Sequence, residues 1–269
     1  MNLEIKNVTI KGFERTYYKL NMNIEENKVV ALISNDKKAI NDFFLKISGV
    51  NKIQGEVLFR GNHVFDNEEY FDNRLLIDYS KCYLTTLDKE HLTNYFKDNF
   101  DMEIDLNIFE KINKELRLRN EYLIKDRYIF TKRGLNLVNY ALTISINKGI
   151  NFIKNTVANC SKEEREIIFS GLSNKGASSI NFLDLQDKLI ASQLIDIYLI
   201  FSNGGEIITL TNDDEIYVVS GEIVNSLLYN KAKDISVTNY NYNKNEIKTM
   251  KKRKMMIKKI KLMDVERYL

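Results

Sequence analysis

A mostly polar segment between two apolar stretches is the first candidate for chemistry in this sequence. Residues 29–33 (VVALI) are apolar, residues 34–41 (SNDKKAIN) are mostly polar, and residues 42–49 (DFFLKISG) repeat apolar residues at helical spacing up to a glycine. This pattern predicts a strand, a loop and a helix. Proteins commonly bind phosphate groups at such a loop, because the helix N-terminus directs backbone N–H groups at the anion.

The residues of this segment do not match the phosphate-binding pattern G-x-x-x-x-G-K-[S/T]. In that pattern the glycines let backbone N–H groups face the phosphates, the lysine adds positive charge and the hydroxyl binds magnesium. The four defined positions hold Ser34, Ala39, Ile40 and Asn41. Asp36 adds a negative charge, and Lys37 and Lys38 are displaced from the lysine position. We therefore expect phosphate binding to be weak or absent.

The elements around this segment alternate between strands and helices. Apolar alternation and short apolar runs predict strands at 3–10, 17–25, 29–34, 74–80, 150–155 and 178–185, and hairpins at 55–64 and 197–210. Helical spacing predicts helices at 38–48, 135–146, 161–173 and 186–196, and two successive helices within 88–117, with Asp88, Asp105 and Ser161 as N-caps. This order favours an α/β core with an N-terminal antiparallel β-subdomain and an inserted helical lobe.

That order resembles the nucleotide-binding domain of ABC transporters over most of residues 1–212. The stretch 29–64 is similar to the family's strand, P-loop, helix and hairpin, and residues 197–209 (IYLIFSNGGEIIT) resemble the strand pair that closes its core. Residues 260–269 (IKLMDVERYL) resemble the closing helix of ATP-binding subunits of the ABC-2 exporter type. The resemblance implies a P-loop NTPase-like core at 1–212, with a helical lobe at about 88–145, and a small basic C-terminal extension at 213–269.

The family's signature loop, LSGGQ, corresponds to residues 130–134 (FTKRG), just before the helix at 135–146. Its degenerate positions are Thr131, Lys132, Arg133 and Gly134. In the family this loop contacts the γ-phosphate bound to the opposite subunit. The two cationic side chains are either phosphate contacts or ordinary exposed loop residues, and we favour the second interpretation.

The family's Walker B strand ends in an aspartate that orders magnesium and a glutamate that acts on the attacking water. The strand at 150–155 (INFIKN) places Lys154 and Asn155 there. Lys154 inverts the charge, and Asn155 cannot act as a general base. The switch histidine corresponds to Gln186, and Phe13 is the candidate aromatic residue to stack on adenine. The resemblance thus implies a retained fold without hydrolysis, because phosphoryl transfer depends on the groups that have been replaced.

The resemblance implies a degenerate, hydrolysis-deficient ATP-binding subunit of an ABC transporter. Such a subunit would lie in the cytoplasm at the inner face of the cell membrane, as a structural or regulatory partner of a membrane permease docked on residues 88–130. A second ABC ATPase subunit, identical or different, would complete a dimer. ATP and Mg²⁺ are expected as ligands from the resemblance alone, and we expect their binding to be weak or absent. The sequence assigns neither a catalytic residue nor a metal site.

Two alternatives stay open. One is a non-catalytic adaptor that uses an ABC-type scaffold to bind another protein. The other is a protein that binds nucleic acid or another anion through its tail. Residues 231–269 hold twelve Lys/Arg and four Asp/Glu, whereas residues 1–230 have a net charge of −5. We rank a nucleic-acid partner last, because the tail also fits a solvated helix face with Met255, Met256, Ile257, Ile260 and Met263 on its apolar side.

Composition limits the remaining function classes. Cys82 and Cys160 lie far apart and, with His63 and His91 as the only histidines, offer little material for a zinc site. No apolar run approaches the roughly 20 residues of a membrane span, and the N-terminal residues predict no signal peptide.

Overall fold

The computed structural model describes residues 2–83, 89–116, 131–175, 178–186, 188–202, 204–223, 226–252 and 256–268. Its helices are α1 (Lys37–Ile47), α2 (Glu68–Asn73), α3 (Lys89–Phe100), α4 (Leu106–Glu115), α5 (Lys132–Ser145), α6 (Lys162–Ser173) and α7 (Tyr240–Lys252). The first strands are β1 (Asn2–Lys11), β2 (Thr16–Glu25), β3 (Lys28–Ile33), β4 (Glu56–Phe59), β5 (Asn62–His63), β6 (Arg74–Asp78), β7 (Ile150–Lys154) and β8 (Ile180–Asp184). The later strands are β9 (Ile197–Phe201), β10 (Ile207–Leu210), β11 (Glu215–Ser220), β12 (Leu228–Asn230), β13 (Ile235–Thr238) and β14 (Ile257–Lys261).

The central sheet has the strand order β10-β9-β3-β8-β7-β6. The five strands β9, β3, β8, β7 and β6 run parallel to one another. The edge strand β10 pairs antiparallel with β9. Because parallel strands bury both faces, they read as near-continuous apolar runs, as VVALI in β3 does. The α/β core and the strand predictions for this sheet are confirmed.

The two faces of the central sheet support two apolar clusters. Val30 and Leu32 of β3 face a cluster with α1 and the N-terminal antiparallel sheet, whose order is β2-β1-β4-β5. Val29, Ala31 and Ile33 face the opposite cluster, which includes α4, α5 and α6. The segment 34–36 is therefore held at both ends, because β3 before it is buried on both faces and α1 after it is buried on one face.

Helix α1 is held by aromatic packing. Phe43 lies 5.7 Å from Phe182 of β8, and Phe44 lies 5.9 Å from Phe152 of β7, measured between ring centroids. The rings of Phe152 and Phe182 stack on each other at 5.0 Å. The first turn of α1 is therefore positioned beside the carboxyl ends of β3, β7 and β8.

A third sheet, of order β12-β13-β11-β14, follows the central sheet in the chain. Buried side chains of this region belong to the same apolar cluster as α5 and α6; they include Ile216, Val218, Val237, Ile260, Leu262 and Val265. The expected boundary at residue 212 thus falls between β10 and β11, and the C-terminal sheet packs on the α/β core rather than away from it.

Two predictions for individual elements are wrong. Residues 188–196 form no helix, because Asp196 instead accepts hydrogen bonds from the backbone N–H of Val29 (2.8 Å) and the ammonium of Lys28 (3.0 Å). The tail around Met256 and Ile260 is not a helix face. Ile257–Lys261 pairs with β11 as β14, which sets Ile260 opposite Ile216 in the core.

One further tail residue, Met263, differs from the predicted helix face. Leu262–Arg267, including Met263, is a short 3-10 helix. Asp88, Phe130 and Met255 lie outside the described residues, as does part of the expected permease-docking region.

Candidate nucleotide site

The loop before α1 is closed around the carboxylate of Asp36. One carboxylate oxygen accepts hydrogen bonds from the backbone N–H groups of Lys38 (3.0 Å) and Ala39 (3.2 Å), so Asp36 is the N-cap of α1. The other oxygen accepts from the N–H of Phe13 at 2.7 Å. A helix N-terminus attracts an anion, and here the anion is the chain's own side chain.

Neighbouring residues are arranged to hold this carboxylate. A Cβ atom at Gly12 would lie 2.1 Å from Oδ2 of Asp36, so the close approach requires glycine. Ser34 is buried and its hydroxyl oxygen accepts from the N–H of Asp36 at 2.9 Å, while its own N–H donates to the carbonyl of Gln186 at 2.7 Å. The predicted strand–loop–helix is confirmed, with its anion-binding groups already occupied.

The other predicted loop residues divide by exposure. Lys37 and Lys38 are exposed, whereas Ala39 and Ile40 are buried in the cluster below α1. Ile40 therefore serves packing and offers nothing to a phosphate. The two lysines lie at the rim of an open cleft of about 590 Å³ that also includes Phe13, Arg15 and Phe201.

Phe13 is the most exposed aromatic ring of that cleft, with 82% of its surface accessible. An exposed aromatic face is suited to stacking on a planar ring. The cleft thus presents one exposed aromatic ring beside a loop in which Asp36 caps the helix N-terminus.

Lys154, at the end of β7, donates a hydrogen bond from its ammonium group to the side-chain oxygen of Asn41 in α1. These are the two positions at which the resemblance would place magnesium ligands. Carboxylate and hydroxyl oxygens suit Mg²⁺, whereas an ammonium group repels it. The two positions are instead joined directly, with a lysine cation where a metal cation would be expected.

Two carboxylates lie on either side of Lys154 because of the strand order. Asp78 ends β6 and Asp184 ends β8, the two parallel neighbours of β7, and Asp78 is in register with Lys154. Burial lowers the pKa of Lys154, and the charges of Asp78 and Asp184 oppose that shift. The ends of three adjacent strands thus carry a carboxylate, an ammonium and a carboxylate.

The two carboxylates differ in their surroundings. Burial tends to raise the pKa of Asp78, but hydrogen bonds from Ser80 and Asn155 outweigh burial and lower this pKa below its usual value. Burial raises the pKa of Asp184, and the N–H groups of Gln186 and Asn155 oppose that rise. The positive charge of Lys154 also opposes the rise in the pKa of Asp184, and that of Lys81 helps to lower the pKa of Asp78.

Asn155 and Gln186, the predicted base and switch positions, form one hydrogen-bond network. The amide nitrogen of Asn155 donates to Asp78 at 2.8 Å, and the amide of Gln186 donates to the side-chain oxygen of Asn155. Both residues have left-handed backbone angles, with φ of 54° at Asn155 and 59° at Gln186. The network holds both side chains to protein partners, and neither amide can act as a general base.

The signature-loop positions differ from the prediction of a loop before residue 135. Thr131 is the N-cap of α5 and accepts from the N–H of Gly134 at 3.0 Å, so Lys132, Arg133 and Gly134 form the first helical turn. Both cationic side chains are on the surface, but Arg133 donates to Glu164 of α6. Glu164 also belongs to the capping box of α6 with Ser161. Arg133 therefore links two helices.

Sequence reasoning missed the positioning roles of Asp36, Asp78 and Asp184. Asp78 and Asp184 each end an apolar run, and side chains at the carboxyl ends of parallel strands meet at one edge of a sheet. That signal was available once both runs had been predicted as parallel strands. Asp36 carried a weaker signal, as an acidic residue directly before a predicted helix.

Solved structures of ABC transporter ATP-binding proteins share this fold. An ABC transporter ATP-binding protein from Pyrococcus furiosus matches with a TM-score of 0.59 at 13% identity, over 74% of this chain and 97% of that one. An ATP-binding subunit of an ABC transporter gives a TM-score of 0.62 at 15% identity, over 80% and 91%. The cbiO1 protein of Clostridium perfringens, part of the ABC transporter complex cbiONQ, gives 0.56 at 12% identity, over 77% and 86%.

The chain has the fold of an ABC ATPase nucleotide-binding domain. The fold resemblance noted from the order of elements is thereby confirmed. No family model and no curated protein matches the sequence. In the described residues, no helix is both long enough and apolar enough to cross a bilayer.

The residues at the nucleotide-site positions of this ABC fold do not fit an ATP–Mg²⁺ complex. Asp36 takes the donors that a phosphate would need, and Lys154 together with Asn41 takes the place of the metal ligands. A triphosphate would meet the carboxylate of Asp36 at close range, and like charges repel strongly where water is partly excluded. No hydrolytic step can be derived from these groups.

Proposed function

We propose that this chain is a degenerate, hydrolysis-deficient ATP-binding subunit of an ABC transporter, acting as a structural or regulatory partner of a membrane permease. The single observation that carries the proposal is the occupation of the nucleotide site by the chain itself. Asp36 caps α1 from the phosphate side, and Lys154 binds Asn41 at the metal side. Because these polar groups already have hydrogen-bond partners within the chain, the fold of this region does not depend on bound nucleotide.

The fold likeness and the surface of the helical lobe support the partner part of the proposal. The cbiO1 protein, which shares the fold, is part of an ABC transporter complex. In this chain, Phe100 of α3 and Ile108 of α4 are 41% and 39% exposed on the helical lobe. Exposed apolar side chains of this size are suited to a protein contact. We propose that a permease docks there, at the cytoplasmic face of the membrane, and that a second ABC ATPase subunit pairs with this chain.

Calorimetric titration of the purified chain with ATP, with and without Mg²⁺, tests the site. We expect no saturable binding at micromolar ATP and no release of inorganic phosphate in a turnover assay. If weak binding appears, Lys37→Gln/Lys38→Gln removes the exposed charges beside the loop and shows whether that loop is responsible. Micromolar affinity that depends on Mg²⁺ would overturn the proposal.

Co-expression tests the partners separately from the nucleotide site. The chain is produced with a polytopic permease and an intact ABC ATPase encoded by neighbouring genes. We expect the three to co-purify from detergent extracts and a Phe100→Glu/Ile108→Glu variant to lose the permease. Retention of the permease by that variant would contradict docking on the helical lobe, and purification of the wild-type chain alone would favour the adaptor alternative.

A further inference from the structure

A second cleft lies where the C-terminal sheet meets the α/β core. Its volume is about 430 Å³, and it is bounded by α6, the segment 188–190, β12 with the turn after it, and the 3-10 helix Leu262–Arg267. This volume is within the range of about 300–1,000 Å³ that is common for small-molecule sites. Asn35 lies on its rim, so the cleft adjoins the loop of the nucleotide site without including Asp36 or the lysines after it.

The rim of this junction cleft is cationic. Arg165, Lys188 and Lys231 line it together with a single carboxylate, that of Glu266, which leaves an excess of two positive charges. Lys188 and Lys231 are exposed. Positive side chains that converge on a concave surface raise the local concentration of anions.

Arg165 has unused hydrogen-bonding capacity. Its Nε atom is buried and has no hydrogen-bond partner among the described residues. Its Nη2 lies 3.9 Å from Oε2 of Glu266, which is a long contact for an ion pair. Glu266 is engaged elsewhere, because its Oε1 accepts from the N–H of Ala191 at 3.1 Å. A guanidinium group with an unpaired Nε–H and a weakly paired Nη2 is suited to the planar, two-point binding of a phosphate or carboxylate.

Beside the charged residues and the polar Asn35, Tyr229 and Asn230, the junction cleft is lined by three apolar side chains. Leu189, Ile190 and Leu228 are 3%, 4% and 6% exposed and belong to the core beneath the cleft. Tyr229 lies beside them and directs its hydroxyl to Asp234 at 2.8 Å. An apolar floor below a cationic rim fits a molecule that has an apolar body and an anionic head.

We propose that the junction cleft binds a small organic phosphate, with its anionic group held by Arg165, Lys188 and Lys231 and its apolar body against Leu189 and Leu228. Such a ligand contacts both α6 of the core and β12 of the C-terminal sheet. Its binding would therefore stabilise the packing between these two parts of the chain. This site is independent of the nucleotide positions, which are closed by Asp36 and Lys154.

Phenyl phosphate is a suitable probe, with phenol and inorganic phosphate as partial probes. In calorimetry at low salt, we expect phenyl phosphate to bind one site per chain and more tightly than either partial probe. Lys188→Gln/Lys231→Gln should weaken binding about tenfold or more, because two charged contacts are lost. Both lysines are exposed, so this variant should fold normally. Glu266→Gln should strengthen binding severalfold, since it removes the negative charge from the rim.

Matched controls separate this site from other basic surfaces. Lys248→Gln on the exposed side of α7 removes a charge outside the cleft and should leave binding unchanged. Lys37→Gln/Lys38→Gln tests the loop of the nucleotide site in the same way. The proposal is overturned if phenyl phosphate does not saturate, if phenol binds equally well, or if binding is lost in the Lys37/Lys38 variant and kept in the Lys188/Lys231 variant.

Discussion

The ammonium of Lys154 donates a hydrogen bond to the side-chain oxygen of Asn41 and so joins the end of β7 to the first turns of α1. In an active ABC-type site, both positions would turn toward a metal ion and a phosphate. In this chain they face each other, and the carboxylates of Asp78 and Asp184 flank the ammonium on the neighbouring strands. Lys154 is therefore a structural cation at a position where the resemblance expects a metal ligand.

Lys154→Asp would restore the charge that the resemblance expects at a Walker B position. We expect it to destabilise the fold by about 2 kcal/mol, because it places a third carboxylate between Asp78 and Asp184 and removes the ammonium that bonds to Asn41. We also expect no gain of ATP hydrolysis. Urea unfolding followed by circular dichroism measures the first outcome, and phosphate release measures the second.

Lys52→Asp is the matched control for that substitution, because Lys52 is exposed in a loop after α1. It makes the same charge change away from the carboxylates and should alter stability by less than about 0.5 kcal/mol. If Lys154→Asp were as mild as Lys52→Asp, the structural role assigned to the Lys154 ammonium would be wrong.

Asp36→Ala removes the internal anion from the N-terminus of α1. We expect a loss of about 1–2 kcal/mol, since both the helix cap and the bond from the N–H of Phe13 disappear. The freed N–H groups should then donate hydrogen bonds to an external anion. Thermal unfolding in sodium sulfate and in sodium chloride of equal ionic strength should therefore show a larger sulfate effect for Asp36→Ala than for the wild type.

Asp105→Ala, at the N-cap of α4, is the control because it also removes an aspartate cap with two backbone partners. General stabilisation by sulfate acts on both variants. A sulfate effect in Asp36→Ala no greater than that in Asp105→Ala would show that the loop before α1 has no usable anion site even when emptied.

Local patterns in the sequence were sufficient to predict the elements that hold the site. The run VVALI and the apolar spacing of Phe43, Phe44 and Ile47 gave β3 and α1, and Ser161 gave the cap of α6. These features depend on neighbours within a few residues. The tail was harder, because IKKIK fits either a strand or a helix face until β11 is available to pair with it.

The contacts that close the site could not be predicted in the same way. Asp36 bonds to Phe13, and Lys154 bonds to Asn41, across 23 and 113 residues of sequence. Asp78 and Asp184 flank Lys154 only because β6, β7 and β8 are adjacent in the sheet. The residue types in the loop predicted weak or absent phosphate binding. That Asp36 and Lys154 bond to other residues of the chain at these positions depends on long-range contacts.

Asn113→Leu should stabilise the helical lobe. Asn113 lies on α4 with 3% of its surface exposed, and neither polar atom of its side chain has a hydrogen-bond partner among the described residues. Burying an unpaired amide costs free energy that a leucine of similar size avoids. We expect a gain of about 1 kcal/mol in urea unfolding. Asn94→Leu, on the exposed side of α3, is the control and should have little effect; equal effects would remove burial as the cause.

Lys175 should make the stability of the protein depend on pH in the mildly alkaline range. It is 9% exposed, and its ammonium donates to the side-chain oxygen of Asn151 at 2.8 Å. Burial lowers the pKa of Lys175 to about 7 in the folded chain. In the unfolded chain the pKa is the ordinary value of about 10.4. Between these two values the unfolded chain binds the extra proton, so the free energy of unfolding rises as the pH rises.

The slope can reach about 1.4 kcal/mol per pH unit for one group, or about 2–3 kcal/mol between pH 7.5 and 9.5. Below about pH 7 Lys175 is protonated in both states and contributes no slope. Urea unfolding of the wild type and of Lys175→Met between pH 7.5 and 9.5 measures the slope of the free energy of unfolding against pH. Lys52→Met serves as the exposed control. We expect Lys175→Met to flatten the profile and Lys52→Met to leave it unchanged. A wild-type profile no steeper than that of Lys175→Met would mean that the buried lysine keeps its proton in the folded chain.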